Sequence, residues 1–408
     1  MKRVSSIFSQ LLQSFSRSEF ESVVRKHKGE RHARGFECWT QFVAMLFCQL
    51  GHARSLSEIT GGLAACEGKL VHLGVKSPPK KSTLSYANRH RPWEICRDMF
   101  EKLYQRCAAE AMHRGKRKFR FRNKLLSLDA TVIPLCIKTF DWAKYQTGKG
   151  AAKLHLLLDH DGYLPKFAVL TAAKTGDITV ARNLAFEKGA VLVFDKGYAD
   201  YDWWLGLTRQ DVYFVTRLKD DASYGVVKQR EVKPGGAVVR DEEILLTKIQ
   251  EEGKEALMRR IEIWVEDQQK TMVFVTNHMK LAPTTIAEIY KDRWGIEAFF
   301  KTLKQSLRIK TFVGTSENAV LIQIWTALIA MLVVKFLQLK STFGWSLSNL
   351  VALLRQQLFV YRDLWSWIND PFQRPPGLND AGAEQLRLFD GDGQQVGQQA
   401  ASEAVALS

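Results

Sequence analysis

One stretch constrains this chain more than any other: Tyr290-Lys-Asp-Arg293-Trp-Gly-Ile-Glu297-Ala-Phe-Phe-Lys-Thr-Leu-Lys304. Ile289, Ile296, Phe299, Phe300, Leu303 and Leu307 recur at helical intervals, the pattern of a helix that lays one side on a core. Tyr290, Arg293, Glu297 and Lys304 follow in steps of three, four and seven. At about 100° per residue they fall within a wedge of roughly 60° beside that apolar face. An acid flanked by a phenol, a guanidinium and an ammonium along one edge suits a metal-bound phosphate backbone. Nucleic acid is therefore the first substrate class to consider.

The rest of the chain fits that direction. Its 408 residues are enough for two or three domains, and 46% hydrophobic content excludes global disorder. Lys and Arg outnumber Asp and Glu 59 to 43, a formal charge of +16. Such a protein usually meets a polyanion, either nucleic acid or an acidic membrane surface. Simple self-repulsion in a soluble protein is the bland alternative. Cys38, Cys48, Cys66, Cys96, Cys107 and Cys136 include no C-x-x-C pair and lie mostly in apolar helical contexts. With no secretory signal in view, they read as reduced, buried thiols of a cytoplasmic protein. Asn318–Val334 carries no charge, but at 17 residues it is short for a membrane span and is interrupted by Asn318, Gln323 and Thr326. It reads as a buried helix.

Along the chain, residues 1 to about 75 read as helices, with a capping box at Ser16-Arg-Ser-Glu19. Trp39, Phe42, Met45, Leu46 and Leu50 keep helical spacing. Lys76-Ser-Pro-Pro-Lys-Lys-Ser82 reads as a linker, and 83–113 as helix again. Arg114–Lys124 holds seven basic residues, two phenylalanines and no acid, which suits either DNA phosphates or a solvated connector. Strand patterns begin at Leu125–Asp129. Lys153–Asp159 and Lys166–Thr171 flank Asp161-Gly162, a hairpin signal. Residues 177–188 look helical, Ala190–Phe194 reads as a strand buried on both faces, and Val212–Thr216 as another strand. From 220 to 270, short alternating segments read as an inserted antiparallel β region, which Met272–Thr276 closes. Thr285-Ile-Ala-Glu288 would be a capping box opening the helix of the first paragraph. Helices continue to about 369, and the Gln-, Ala-, Gly- and Asp-rich tail beyond Pro371 reads as disordered.

Asp129 is expected to end the first strand, and Asp195 the buried one, where ligands gather in sheets with parallel crossovers. Either acid alone reads first as a turn former or cap. Together with Glu297 they can form an all-oxygen site that selects Mg2+ or Mn2+ over zinc. Two such ions can activate a water or hydroxyl and stabilise the leaving oxygen in phosphoryl transfer. Lys301 lies near the polar wedge as a weaker candidate. Trp294 reads as a core-edge residue, with stacking on an unpaired base as the alternative. His155 and Tyr198 read as packing residues rather than a general base and a ligand.

The spacing Tyr290-x2-Arg293-x3-Glu297-x6-Lys304 resembles the YREK signature of bacterial insertion-sequence transposases, the insertion sequence 4 family. Leu128-Asp129-Ala-Thr-Val resembles its first-aspartate block and Phe194-Asp195-Lys-Gly-Tyr198 its second. Lys153–Asp159, Thr311–Ser316 and Thr83–Asn88 resemble further segments, so the likeness runs from about 5 to 370. The resemblance implies an α/β protein with a ribonuclease H-like catalytic core, an inserted antiparallel β region, and N-terminal and C-terminal helical regions. Its divisions would be 1–113 helical and DNA-binding, 114–124 a basic linker, 125–217 the first part of the core, and 218–271 the β insertion. The second part of the core would be 272–315, with 316–370 C-terminal helices suited to dimerisation and 371–408 a tail. Asp129, Asp195 and Glu297 would be the catalytic, metal-binding triad, taking two Mg2+ ions with Mn2+ able to substitute. Tyr290, Arg293 and Lys304 would hold DNA. The implied reaction is cut-and-paste transposition of double-stranded DNA, from terminal inverted repeats into a target. A homodimer in a synaptic complex would carry it out in the bacterial cytoplasm at the nucleoid, with no membrane involved. A related nuclease that cuts without joining, and a repressor that binds DNA without catalysis, are the competing readings.

Overall fold

The structure is a computed structural model that describes residues 5–372 apart from 32, 34, 115–117, 136–149, 173, 249–255 and 308–311. The tail beyond 372 and Cys136 lie outside the described residues.

Nine strands form one mixed sheet: β1 (Leu125–Leu135), β2 (Gly150–Asp159), β3 (Leu164–Ala172), β4 (Val191–Val193), β5 (Tyr213–Arg217), β6 (Tyr224–Gln229), β7 (Val238–Leu246), β8 (Met258–Val265) and β9 (Lys270–Thr276). Their order is β3-β2-β1-β4-β5-β9-β8-β7-β6. β1, β2 and β3 pair antiparallel, whereas β4 and β5 run parallel to β1. β9 joins antiparallel to β5, so the strands between Arg217 and the helix of Glu297 lengthen the same sheet. The β2–β3 turn falls at the expected place, with Gly162 at φ +82° and Tyr163 at φ +52°.

Alternation sorts the strand side chains. In β2, Leu154, Leu156 and Leu158 join a core shared with the helices, and Leu157 faces a second core on the other side of the sheet. That second core holds Leu126, Leu128, Phe194, Tyr198 and Trp204. It is covered by α8 (Asp177–Ala181) and α9 (Tyr201–Arg209). The first core collects the N-terminal helices α1 (Ile7–Leu12), α2 (Arg17–Lys26), α3 (Cys38–Leu50), α4 (Leu56–Ala64), α5 (Glu67–Leu70), α6 (Lys81–His90) and α7 (Glu94–Arg114). Ser16 caps α2 through the Glu19 amide, as the spacing predicts. Two helices, α10 (Pro283–Asp292) and α11 (Trp294–Ser306), carry the opening motif, and α12 (Glu317–Lys340), α13 (Leu347–Gln357) and α14 (Leu364–Asn369) follow. α12 is long and apolar enough to cross a membrane by composition, but 83% of its most apolar window is buried inside the protein. Cys38, Cys96 and Cys107 are free and buried, and Cys48 is buried as well. Burial pushes the Cys38, Cys96 and Cys107 thiols up to about 12, which leaves them unreactive packing groups.

Four local expectations need correction. Asp129 does not end β1; it is the fifth residue of an eleven-residue strand, because Ala130–Leu135 goes on pairing with β2 after β4 has stopped. The helix at 177–188 ends at Ala181. Thr285 is not a cap: Pro283 starts the helix one turn earlier, where its fixed φ and missing N–H are tolerated. The motif helix is also not continuous. It breaks for one residue at Arg293, where tighter i→i+3 bonds run from Arg293 N to Tyr290 O and from Ile296 N to Arg293 O.

Asp292 anchors that break. His160 Nδ1 lies 2.6 Å from Asp292, Tyr163 donates to it at 2.9 Å and Lys118 at 2.5 Å. The other nitrogen of His160 meets Ser127 Oγ of β1 at 2.5 Å. A Cβ at residue 295 would come 2.7 Å from the Tyr163 ring, so Gly295 allows that ring to lie against α11. Burial raises the Asp292 carboxyl, but His160, Lys118 and Tyr163 more than offset this and hold it at about 2.

Two stability predictions follow from this packing. Leu328 of α12 is fully buried, so Leu328→Ala should cost about 2–5 kcal/mol in urea denaturation. The Asp292 carboxyl is depressed in the folded chain, so its stabilisation is present above the unfolded value near 3.8 and is lost as pH falls toward 2. Asp292→Asn should therefore be less stable at pH 7 by on the order of 2 kcal/mol, with the gap narrowing between pH 4 and pH 2.

Candidate active site

Odd-numbered residues of β1 face the motif helices. Ser127 reaches α10 through His160, Asp129 faces Arg293, and Thr131 lies opposite Lys304. β4 stops pairing with β1 at Ser127↔Val193. The next residues of the β4 chain, Phe194 and Asp195, therefore turn away beside Asp129. Asp195 caps the short turn Lys196–Tyr198 by accepting from the Gly197 amide at 2.9 Å, and Thr216 of β5 donates to its carbonyl oxygen at 3.1 Å. Asp129, within β1, and Asp195, just past the end of β4, thus lie side by side where β4 leaves the sheet, near the edge where parallel strands present ligand sites.

Glu297 comes from the first turn of α11. Its carboxylate lies 2.8 Å from Arg293 Nη2, and Arg293 Nη1 lies 3.6 Å from Asp129. One guanidinium therefore bridges the strand acid and the helix acid. Its Nε is buried without a hydrogen-bond partner. Burial pushes the Asp129 carboxyl up, the Ala130 amide and Arg293 pull it down, and the nearby Asp195 and Glu297 charges raise it again, to about 6. An acid that holds its proton this readily lacks enough positive charge around it. Glu297 keeps 43% of its side-chain surface exposed, which leaves it room to rotate. Among the described residues, no three carboxylate, imidazole or thiol side chains converge closely enough to hold a metal ion as they stand.

Tyr290 is buried, with its ring 5.2 Å from Phe274 and Arg293 5.5 Å above it. Burial raises its hydroxyl, with Arg293, Arg217 and Asp195 all within electrostatic reach. Lys304 Nζ donates to Thr131 Oγ1 at 2.5 Å, on the same strand face as Asp129. The structure thus brings all six singled-out residues to one locality. Lys301 is exposed at its edge. Trp294 is 61% exposed, so it is not the core-edge residue its pattern suggested; the break at Arg293 places it outside the apolar face.

His155 and Tyr198 are buried as expected. His155 is held by Thr171 at 2.8 Å, and burial pushes its ring down to about 4. The basic stretch after α7 is partly structural. Lys118 pairs with Asp292, Lys124 with Asp159 and Asp161, and Phe119 and Phe121 stack against a core cluster. Sequence reasoning missed Arg217, at the end of β5 next to Asp195's strand, and the Asp292–His160–Ser127 chain. The only signal for the latter was the acid directly before Arg293.

Residues 105–333, more than half of the chain, match the family described as Transposase DDE domain. Asp129, Asp195 and Glu297 all lie inside that match. Residues 3–76 match a domain of unknown function, DUF4372. A Sinorhizobium fredii protein named as a transposase, y4zB, is 30% identical over 74% of this chain and 82% of its own length. A Geobacillus stearothermophilus protein named as a transposase for insertion sequence element IS5377 is 28% identical over 63% of this chain and 67% of its own. A Synechocystis protein named for element IS4SA is 23% identical, over 67% and 76%. With a carboxylate-lined site inside a family match of that extent, this chain belongs to the transposases built on a DDE domain, the metal-dependent proteins of DNA transposition.

Proposed function

We propose that this chain is a transposase of the insertion sequence 4 family, with Tyr290, Arg293, Glu297 and Lys304 as its YREK residues, that cleaves the ends of its element and joins them to target DNA. The observation that carries this reading is the meeting of Asp129, within β1, with Glu297 through Arg293, and with Asp195 just past the end of β4. The strand order β3-β2-β1-β4-β5, three antiparallel and two parallel to β1, supports a ribonuclease H-like core. β6 to β8 then form the insertion between the second aspartate and the glutamate. The domain divisions read from the sequence, two copies bridging two DNA ends, and action on bacterial DNA in the cytoplasm belong to the same proposal.

The donor set fits a hard divalent cation, because all three side chains offer carboxylate oxygens and the half-buried Asp129 is short of positive charge. Asp129, Asp195 and Glu297 would hold it, with Mg2+ as the ion proposed, two ions in the site and Mn2+ able to substitute. Bound there, such ions supply charge stabilisation at the attacking and leaving oxygens of a phosphodiester. The remaining work falls to the chain. Arg293, once Glu297 rotates off it, offers a planar fork to phosphate oxygens, and Lys304 offers a point charge two residues further along the β1 face. Burial keeps the Tyr290 hydroxyl protonated, so it donates rather than accepts toward a phosphate. A site of this kind can serve water first and a freed 3′ hydroxyl second, as cutting and joining require.

The nearest rival, a nuclease that cuts without joining, is separated by a supercoiled donor plasmid carrying the element ends, incubated with Mg2+ or Mn2+. Strand-transfer products support the transposase, and linear breaks alone support the nuclease. Asp129→Asn, Asp195→Asn and Glu297→Gln should each reduce cleavage to background while leaving thermal unfolding near that of the parent. Persistent cleavage by Asp195→Asn would overturn the triad. Lys304→Ala should weaken binding to end DNA and reduce the slope of log K against log salt by about one, read by titration at several salt concentrations.

A further inference from the structure

The chemistry above leaves one well-built surface unused, on α6. One side of this helix is bolted down. Leu84, Ala87 and Asn88 are buried. Gln41 of α3 donates to the Asn88 side chain at 2.8 Å, and Asn318 of α12 donates to the carbonyl oxygens of Asn88 and Arg91, each at 2.8 Å. Buried polar contacts to two different helices fix the rotation of α6 about its own axis. α4 packs against both α3 and α6, giving a three-helix unit.

The opposite side is Ser82, Ser85, Tyr86 and Arg89, all exposed, at the i, i+3, i+4, i+7 spacing of a single helix face. Tyr86 is 67% exposed, and its ring stacks on His90 with centroids 4.1 Å apart. His90 is held in turn, with Nδ1 2.9 Å from the Tyr86 carbonyl oxygen. From Gly68 to Trp93 there is no acid, and there are six lysines and arginines. Arg91 is turned inward to Gln41 and the Phe36 carbonyl. Among the described residues, Lys80, Lys81, Ser82, Ser85 and Arg89 are held by no side-chain hydrogen bond or ion pair. A merely solvated helix face mixes charges of both signs; this one is basic and hydroxylic, and carries an exposed, pre-ordered aromatic pair.

We propose that α6 reads base sequence in the major groove of duplex DNA, and so selects which DNA this transposase acts on. The inference rests on the proposed function for its partner, DNA, and adds the element that recognises it. The face from Ser82 to Arg89 is about 10 Å long, or about three base pairs, and a major groove about 12 Å wide admits a helix. Arg89 has the fork that matches guanine O6 and N7, Ser82 and Ser85 can meet any base edge, and the Tyr86 ring can pack on a thymine methyl. Lys80 and Lys81, at the start of the helix, are placed for flanking phosphates. α4 packs against α6 and holds it from within the three-helix unit.

The test uses full-length protein without divalent metal, selecting from a pool of random duplexes; the enriched motif is compared with the DNA flanking the gene. The wild type should enrich a motif. Arg89→Ala and Tyr86→Ala should each relax it at one base position, and lower affinity for the enriched duplex about tenfold to a hundredfold. Affinity for a scrambled duplex of the same length should be unchanged, as should the melting temperature, because both side chains are exposed. An unchanged motif in both variants overturns the proposal. Equal losses on enriched and scrambled duplexes also overturn it, because they leave α6 only phosphates to hold. Metal-dependent cleavage by the wild type, together with an unchanged motif in the α6 variants, would sink this inference and leave the proposed function standing. No cleavage, together with a lost motif, would do the reverse.

Discussion

The alternation of one strand sets the geometry of everything around the site. β1 turns Ser127, Asp129 and Thr131 to the same side, and each meets a group from the motif helices or their anchor. Those three positions span about 13 Å of strand, and Asp292 to Lys304 spans about 18 Å of helix, so the helix pair lies along the strand rather than touching it at one point. A one-residue slip of β1 would turn all three away together. The register with β2, unbroken from Leu126 to Leu135, is therefore as much a part of the site as the acids are.

The one-residue break at Arg293 has a clear electrostatic setting. Asp292 and Arg293 are consecutive, oppositely charged and both buried. A straight helix points consecutive side chains about 100° apart. Here His160 extends the reach of the acid to Ser127, while the long guanidinium itself reaches Asp129. Asp292 is satisfied by three donors; Arg293 is shared between Asp129 and Glu297, with its Nε unpaired. One side of the break is therefore saturated and rigid. On the other, Asp129 and Glu297 share one guanidinium with Asp195 close by, and a cation or a phosphate can change that balance.

Much of this was legible in the chain because it is periodic. The hairpin at Asp161-Gly162, the apolar run of β4, the antiparallel strands from 224 to 276 and the capping box at Ser16 all announce themselves through alternation or turn chemistry. The six residues of the site were also legible, two of them as strand-associated acids and four as a helical wedge. What was not legible depends on neighbours distant in sequence. β1 runs past Asp129 because β2 goes on pairing with it, not because of anything in Ala130-Thr-Val. The exposure of Trp294 follows from the break beside it, and the break coincides with contacts from residues 118, 160 and 163. Lys118 and Lys124 lie in a stretch that suits either DNA phosphates or a solvated connector, yet they end on buried acids that the pattern of their own segment could not reveal.

One buried helix connects α6 with the acids of the candidate site. Near its start, Asn318 of α12 holds the α6 backbone. Toward its end, Lys335 lies 5.8 Å from the Tyr163 ring, and Leu339 packs beside Gly162, the turn that fastens Asp292. Burial pushes Lys335 down to about 8, a further sign of how tightly this end is enclosed. The two anchoring points are about 25 Å apart along a helix whose middle is wholly inaccessible. A helix packed on all sides transmits position without bending, so the distance between the reading face of α6 and the acids of the site is set by core packing rather than by a flexible linker. DNA gripped at α6 would then arrive at Asp129, Asp195 and Glu297 at a fixed offset, which is the condition for cutting at a defined distance from a recognised sequence.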